Sequence, residues 1–364
     1  MTFDPSNPEP VYLDHAATTP LRPEAREAIT RGFELWANPS SPHRAGRAAR
    51  AALEDARERV KAVLKWDGEV IFTSGASEAA ELALVGTAAS ERFVSAVEHD
   101  SVLSAAPDAA LLAVLPDGAV DEDTFKAAMA RVGNVVVAIQ SINSETGNRQ
   151  DHGDLTDCVH DAGGLVVVDC SQSAGKYPLP HAIDMAIIAA HKFGGPVGIG
   201  ALLVRELKML LPSGGQERGY RRGTENLPGI LGMAAALEAC ENPYLPDGAV
   251  EAVQAFAGQV RASGGVWFGD RLDAPTAYIH AVAMPGLSGS AQLMRFDMAG
   301  IAVSQGSACS SGSMRRSHVL EAMGVDSDLA DRTIRMSLGW TTTVADIERF
   351  AQVWLAMAAK ARPA

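Results

Sequence analysis

Asp169 and Lys192 each stand at the end of a short apolar run. The first run reads Leu165-Val166-Val167-Val168-Asp169, and the second reads Met185-Ala186-Ile187-Ile188-Ala189-Ala190-His191-Lys192. Runs this short and apolar suit buried parallel strands. In open α/β sheets, ligands sit outside the carboxyl ends of the strands, so both polar tips should face one crevice. A lysine amine there could form a Schiff base with an aldehyde. A carboxylate on the next strand could keep a pyridine nitrogen protonated and make the ring an electron sink. That combination suggests pyridoxal 5'-phosphate. The same two residues would also serve as a buried ion pair.

The elements that must position them alternate. Glu69–Thr73 reads as a strand, Ser74–Ser77 as a tight turn and Glu78–Thr87 as a helix. Arg92–Val97 is a strand leading to Glu98-His99, and Asn134–Gln140 a strand leading to Ser141-Ile142-Asn143-Ser144. Gly200–Arg205 is expected to be antiparallel or at an edge. Ile230–Cys240 reads as a helix. This order predicts an α/β domain with a mainly parallel central sheet, followed by a smaller α+β unit. The expected division is an N-terminal segment, 1–14, packing with the small domain, a large domain over 15–240, and a small domain over 241–364. The changeover falls within Gly229–Pro246.

Bulk properties narrow the function. The chain has 364 residues, enough for two domains. Its formal charge of −13 argues against nonspecific binding to nucleic acid or an anionic membrane. No apolar stretch approaches the ~18 residues of a membrane span. Met1–Pro10 has no apolar run and does not read as a secretory signal. Cys158, Cys170, Cys240 and Cys309 lack metal-ligand spacing, so free thiols in a reducing cytoplasm are expected.

Other residues could join the chemistry. Ser74-Gly75-Ala76-Ser77 precedes a helix whose first amides could bind phosphate, or is an ordinary glycine turn. His99 could stack on a ring and move protons, or simply be hydrogen-bonded at a strand end. Cys309 lies in Ser304-Gln305-Gly306-Ser307-Ala308-Cys309-Ser310-Ser311-Gly312-Ser313, with little large apolar side chain to anchor it. That suits a nucleophile more than a buried thiol, and at an ordinary pKa near ~8.5 a neighbouring base or cation should matter. Arg335 alternates with Ile334 and Met336 on a strand. It could clamp a substrate carboxylate or be solvated.

Together these segments resemble the cysteine desulfurases, class V members of the fold-type I pyridoxal-phosphate enzymes, from Val11 to about Phe350. The strings that carry the similarity include Tyr12-Leu13-Asp14-His15-Ala16-Ala17-Thr18-Thr19-Pro20, Asn38-Pro39-Ser40-Ser41-Pro42-His43 and Phe72-Thr73-Ser74-Gly75-Ala76-Ser77-Glu78. Others are Val168-Asp169-Cys170-Ser171-Gln172, His191-Lys192-Phe193-Gly194-Gly195-Pro196, Gln216-Glu217-Arg218-Gly219 with Arg222-Gly223-Thr224-Glu225-Asn226, and the Cys309 loop. The loop, followed by Ser317-His318-Val319-Leu320, is similar to the branch that supplies iron–sulfur assembly.

The resemblance implies roles. Lys192 carries the Schiff base and moves the Cα proton, Asp169 pairs with the pyridine nitrogen, and His99 stacks on the ring. Gln172 bonds the phenolic oxygen, with Ser144 nearby. Ala76, Ser77 and His191 line the phosphate, and Thr224 reaches it from the second subunit of a homodimer. Asn38 and Arg335 hold the carboxylate of L-cysteine, and Cys309 takes the sulfur. It implies a sulfur-acceptor protein, an iron–sulfur scaffold among the candidates. The cup departs from the pattern: Ser144 stands where relatives usually have Asn, and Ala189 where they usually have Ser. Those changes are the support for a rival reading, a catalytically weak binding or regulatory protein. A selenocysteine lyase or another class V enzyme is the alternative among enzymes.

Overall fold

The computed structural model describes residues 10–240, 244–306 and 316–361. Its strands are β1 (Val11–Tyr12), β2 (Glu69–Thr73), β3 (Glu91–Ser95), β4 (Ala110–Leu112), β5 (Val135–Ala138), β6 (Leu165–Asp169), β7 (Met185–Ala189), β8 (Gly200–Val204), β9 (Val266–Trp267), β10 (Ile279–Ala283), β11 (Ile301–Ala302) and β12 (Thr333–Ser337).

Seven strands form the main sheet, in the order β2-β8-β7-β6-β5-β3-β4. Only β8 runs against the others, pairing antiparallel with β7 and β2. It therefore lies inside the sheet, not at its edge, and every residue of Gly200–Val204 is buried. Successive side chains of a strand point to opposite faces. Val166, Val168, Ala186 and Ile188 enter one apolar cluster, and Val167, Met185 and Ile187 enter the other. Both faces are thus covered, which is why these runs carry no polar alternation. Because β2 is antiparallel to β8, its carboxyl end joins those of β3, β5, β6 and β7 on one edge.

Two helices start earlier than the apolar pattern indicates. The helix after β2 spans Ala76–Val85, because Glu78 already lies in its first turn and accepts the Ser74 amide at 2.5 Å. The helix read as Ile230–Cys240 spans Leu227–Glu238, with Asn226 capping the Gly229 amide and a proline in the first turn.

The rest builds a second core. Strands β12-β10-β9 form an antiparallel sheet, and β1 pairs in parallel with β11. Bridges Asp14↔Ser337 and Ser304↔Arg335 tie that pair to β12. Helices Ala249–Ala262 and Val344–Ala361 close this core around Phe256, Phe350 and Trp354. Among the described residues, no helix is long and apolar enough to cross a membrane.

Candidate active site

The strand tips meet as expected. Neighbouring strands β6 and β7 run parallel with Asp169 opposite Ile187. A single turn of 3-10 helix, Ala190–Lys192, follows β7 and brings His191 and Lys192 to the same edge. A cavity of about 340 Å³ opens there. Its walls include Ala76, Ser77, His99, Ser144, Asp169, Gln172, Ala189, His191 and Lys192.

Each side chain has a defined setting. Lys192 Nζ donates to the carbonyls of Ala16 at 2.7 Å and Ala17 at 2.8 Å. The Asp14–Thr19 turn is itself fixed by Thr19 Oγ1, which donates to the Lys192 carbonyl at 3.1 Å. The turn therefore forms the floor on which the amine rests, a role the sequence analysis did not assign to it. Gln172 Nε2 donates to the Ala16 carbonyl at 2.8 Å, and an amide nitrogen has a second N–H to offer. Asp169 is buried and accepts the Ser171 amide at 2.8 Å. Ala76 and Ser77 form the first helical turn, whose amides have no acceptor within the helix.

Burial favours the neutral form of both histidines. Burial, then the charge of Lys192, pushes His191 down to about 4. Burial also lowers His99, with Asp169 opposing the shift and Lys192 assisting it. His99 Nδ1 accepts the Ser101 amide at 3.1 Å, which leaves its proton on Nε2.

A smaller space adjoins this cavity, bounded by Ala16, Glu98, His99, Ser144, Glu145, Lys192, His318 and Arg335 among others. Arg335 is buried, not solvated, with 4% exposed. Its Nη1 donates to the Ser144 carbonyl at 2.8 Å, and Nη2 reaches Asp14 Oδ1 at 2.7 Å. Glu98 is fully buried beside Asp169, and burial followed by that neighbouring charge raises it well above the usual carboxylate range. Sequence reasoning gave no role to Asp14, Glu98 or Glu145, although Asp14 lies in a string that carries the resemblance, Glu98 precedes His99 and Glu145 follows Ser144.

Two expected residues stand apart. Asn38 is exposed, does not line either space within its own chain, and accepts the Ser40 amide on Oδ1 at 2.9 Å. Within its own chain Asn38 is not brought beside Arg335; its Oδ1 holds its own turn. Thr224 is likewise exposed and outside both spaces. Ser40 Oγ donates to Gln216 Oε1 at 2.7 Å, which joins the Asn38 turn to the segment that carries Thr224. Cys309 lies outside the described residues. Cys158, Cys170 and Cys240 are free thiols, and burial raises all three.

Residues 11–350 match the aminotransferase class-V family. The chain belongs to that family. Within it, the chain is 38% identical to a cysteine desulfurase of Cereibacter sphaeroides, with 95% of each chain covered. It is 36% identical to cysteine desulfurase IscS of Dictyoglomus turgidum, over 93% of this chain and 91% of that one. Among solved structures, a NifS-like protein superimposes with a TM-score of 0.85 at 28% identity, covering 96% of this chain and all of the other. SspA in complex with cysteine gives 0.76 at 28%, covering 90% and 99%. The fold is that of NifS-like enzymes, with a mainly parallel sheet in the large unit.

Proposed function

We propose that this chain is a homodimeric, pyridoxal 5'-phosphate-dependent cysteine desulfurase that converts L-cysteine to L-alanine and leaves the sulfur as a persulfide on Cys309. The carrying observation is the single cavity in which the Lys192 amine meets Asp169, Gln172 and His99, with Arg335 beside it.

The residues fit the cofactor. Ser171 Oγ and Gln172 Oε1 are buried without a partner among the described residues, and Gln172 and Ser171 both line the cavity. Lys192 would carry the group, and Asp169 would hold the proton on its ring nitrogen. His99 would stack on the ring, Gln172 and Ser144 would face the phenolic oxygen, and Ala76, Ser77 and His191 the phosphate. When bound, the cofactor supplies an electron sink for charge developing at the substrate Cα.

The chain's own residues do the rest. Arg335 fixes the substrate carboxylate. Lys192 Nζ takes the Cα proton. The Cys309 thiolate attacks the substrate sulfur, an S–S bond forms as the C–S bond breaks, and the remaining three-carbon unit is protonated to alanine. His99 Nε2 is placed to pass a proton.

The other assignments rest on placement. Val197 lines the cavity yet is 74% exposed, and Trp36, two residues before Asn38, is 87% exposed. Exposed apolar groups near Asn38 and beside the cavity support a partner subunit that supplies Thr224 and Asn38. The domain division at 1–14, 15–240 and 241–364 is supported by one apolar cluster drawn wholly from 25–240, by another drawn mostly from 244–358, and by β1 pairing with β11. Free thiols support a reducing cytoplasm. The Ser317–Leu320 string supports a protein of iron–sulfur assembly as sulfur acceptor.

The test is Cys309→Ser. It should bind the cofactor and still show the L-cysteine-induced change in visible absorption, yet form no protein persulfide. Persulfide at undiminished level in that variant would sink the mechanism.

A further inference from the structure

The turn that ends β2 and the segment that carries Thr224 share one carboxylate. Ser74, Gly75, Ala76 and Ser77 line the main cavity. Glu78 lies in the first turn of helix Ala76–Val85, and its Oε2 reaches back to accept the Ser74 amide at 2.5 Å. Its other oxygen, Oε1, accepts Arg221 Nε at 2.9 Å. Arg221 stands three residues before Thr224, and its Nη1 donates to the Gly223 carbonyl at 3.5 Å. Burial raises the Glu78 carboxyl, but the bonds to Ser74 and Arg221 outweigh burial and hold it below its ordinary 4.5, so it is ionised near neutral pH.

The Thr224 segment has a second anchor. β2 is an edge strand, and on its open side the Phe72 amide donates to Glu217 Oε2 at 2.8 Å. The buried Arg57 guanidinium donates to both oxygens of the same carboxylate, at 2.9 and 3.2 Å. Glu217 and Arg218 take left-handed φ of 47° and 58°, which non-glycine residues keep only where the surroundings impose it. The segment is thus held at Glu217 and rests on Glu78 at Arg221. Residues 222–224 extend beyond that contact and are exposed.

A phosphate at the first helical turn gives the free amides there an acceptor and settles the Ser74–Ser77 turn. Fixing that turn fixes the carboxylate bonded to it and, through Arg221, the stretch that ends in Thr224. We infer that Glu78 is a positioning residue that couples the two sites of the dimer: its carboxylate holds the phosphate turn of its own cavity and the Arg221–Thr224 stretch offered to the partner's, so loading one site favours loading the other. The inference rests on the reading that Thr224 serves the partner subunit's cavity.

The full-length dimer, stripped of cofactor, is titrated with pyridoxal 5'-phosphate. Absorbance gives the dissociation constant and the Hill coefficient, and hydrogen exchange is followed over 74–79 and 219–226. In wild type, loading should protect both stretches, with a Hill coefficient above one. Glu78→Gln keeps one acceptor for Ser74 and presents an amide nitrogen, not an acceptor, to Arg221. It should bind the cofactor no more than about threefold more weakly, yet bring the Hill coefficient to one and lose the protection over 219–226. Arg221→Ala should do the same, and the double variant should be no worse than either, because one link is broken only once. Glu78→Ala loses both bonds and should bind roughly tenfold more weakly.

A wild-type Hill coefficient in Glu78→Gln or Arg221→Ala overturns the inference. So does a wild type that loads without cooperativity, or a double variant in which the two effects multiply. If Glu78→Ala does not fold, Glu78→Gln and Arg221→Ala decide. Thr224→Ala with Arg222→Ala separates the two readings. An unchanged dissociation constant there refutes the shared site itself. A weakened one, beside unaltered cooperativity in Glu78→Gln, refutes only the role of Glu78.

Discussion

Arg335 Nη2 lies 2.7 Å from Asp14 Oδ1, so the guanidinium beside the smaller space, the proposed seat of the substrate carboxylate, already faces an internal carboxylate. An incoming carboxylate must share that charge. Arg335→Lys should raise KM for L-cysteine about tenfold, since a point charge cannot reproduce a planar fork already bonded to Ser144 and Asp14. Asp14→Asn keeps an acceptor and removes the competing charge, so KM should fall about two- to fivefold. A rise in KM for Asp14→Asn would show that the charge is needed to aim Arg335, and the competition argument would fail.

A second lysine sharpens the assignment of Lys192. Lys176 is pushed down to about 7, first by burial and then by Lys192 and Arg22, with Cys240 opposing. Its Nζ sits 5.2 Å from the Tyr244 ring centre and 4.9 Å from that of Tyr278. It is thus a competent amine near neutral pH that lines neither space of the site. Borohydride should fix the cofactor to wild type and to Lys176→Arg, but not to Lys192→Ala. A peptide map with cofactor on Lys176 would reverse the assignment.

The fold was legible because the strands are buried on both faces. Val135–Ala138, Leu165–Asp169 and Met185–Ala189 have no polar residue before their tips, so each tip stood out. β8 was left open between two placements because an equally apolar run suits either. The hidden parts of the site are long-range. Nothing local in Asp14 points to Arg335, and nothing in Ala16 or Ala17 reveals that their carbonyls receive Lys192. Glu98 and Glu145 looked like ordinary acids beside more conspicuous neighbours. Some of their partners arrive from the far end of the chain: Ser317 donates to the Glu145 carboxyl and His318 to the Glu98 carbonyl.

The altered cup yields a gain-of-affinity test. Ser144 and Ala189 both line the main cavity, Ala189 with 2% exposed. Ser144→Asn with Ala189→Ser adds possible bonds to the phenolic oxygen and the phosphate. Cofactor dissociation should slow, with a gain on the order of 1–3 kcal/mol, or about ten- to a hundredfold in Kd. An unchanged Kd, measured by cofactor release under dilution, would mean that neighbouring groups already fill those roles.

Glu98 gives the molecule a pH-dependent liability. Below its ordinary value of 4.5 the carboxyl is neutral in both folded and unfolded chains. Above it, the unfolded chain ionises while the folded one stays neutral, so stability falls as pH rises toward the raised folded value. Glu98→Gln mimics the neutral acid and still accepts the Gln140 amide. Its melting temperature relative to wild type should therefore climb between pH 5 and pH 8. Parallel melting curves across that range would show that Glu98 is not held neutral.

The shared site can be tested by complementation. Thr224 and Arg222 are exposed, Arg222 Nε being spent on the Ser213 carbonyl at 3.1 Å, and neither lines the cavity of its own chain. If they reach the partner's phosphate, cofactor binding depends on dimerisation, since a ligand held only by the dimer stabilises it. Lys192→Ala should be inactive, and Thr224→Ala with Arg222→Ala should lose cofactor. After subunit exchange, a heterodimer of the two has one site with both sets of defects and one with neither. Each heterodimer should regain about half the wild-type turnover, and retain one cofactor where wild type retains two, as the arithmetic of linked binding requires. Heterodimers verified by mass, yet without activity or retained cofactor, would show that each subunit builds its phosphate site alone.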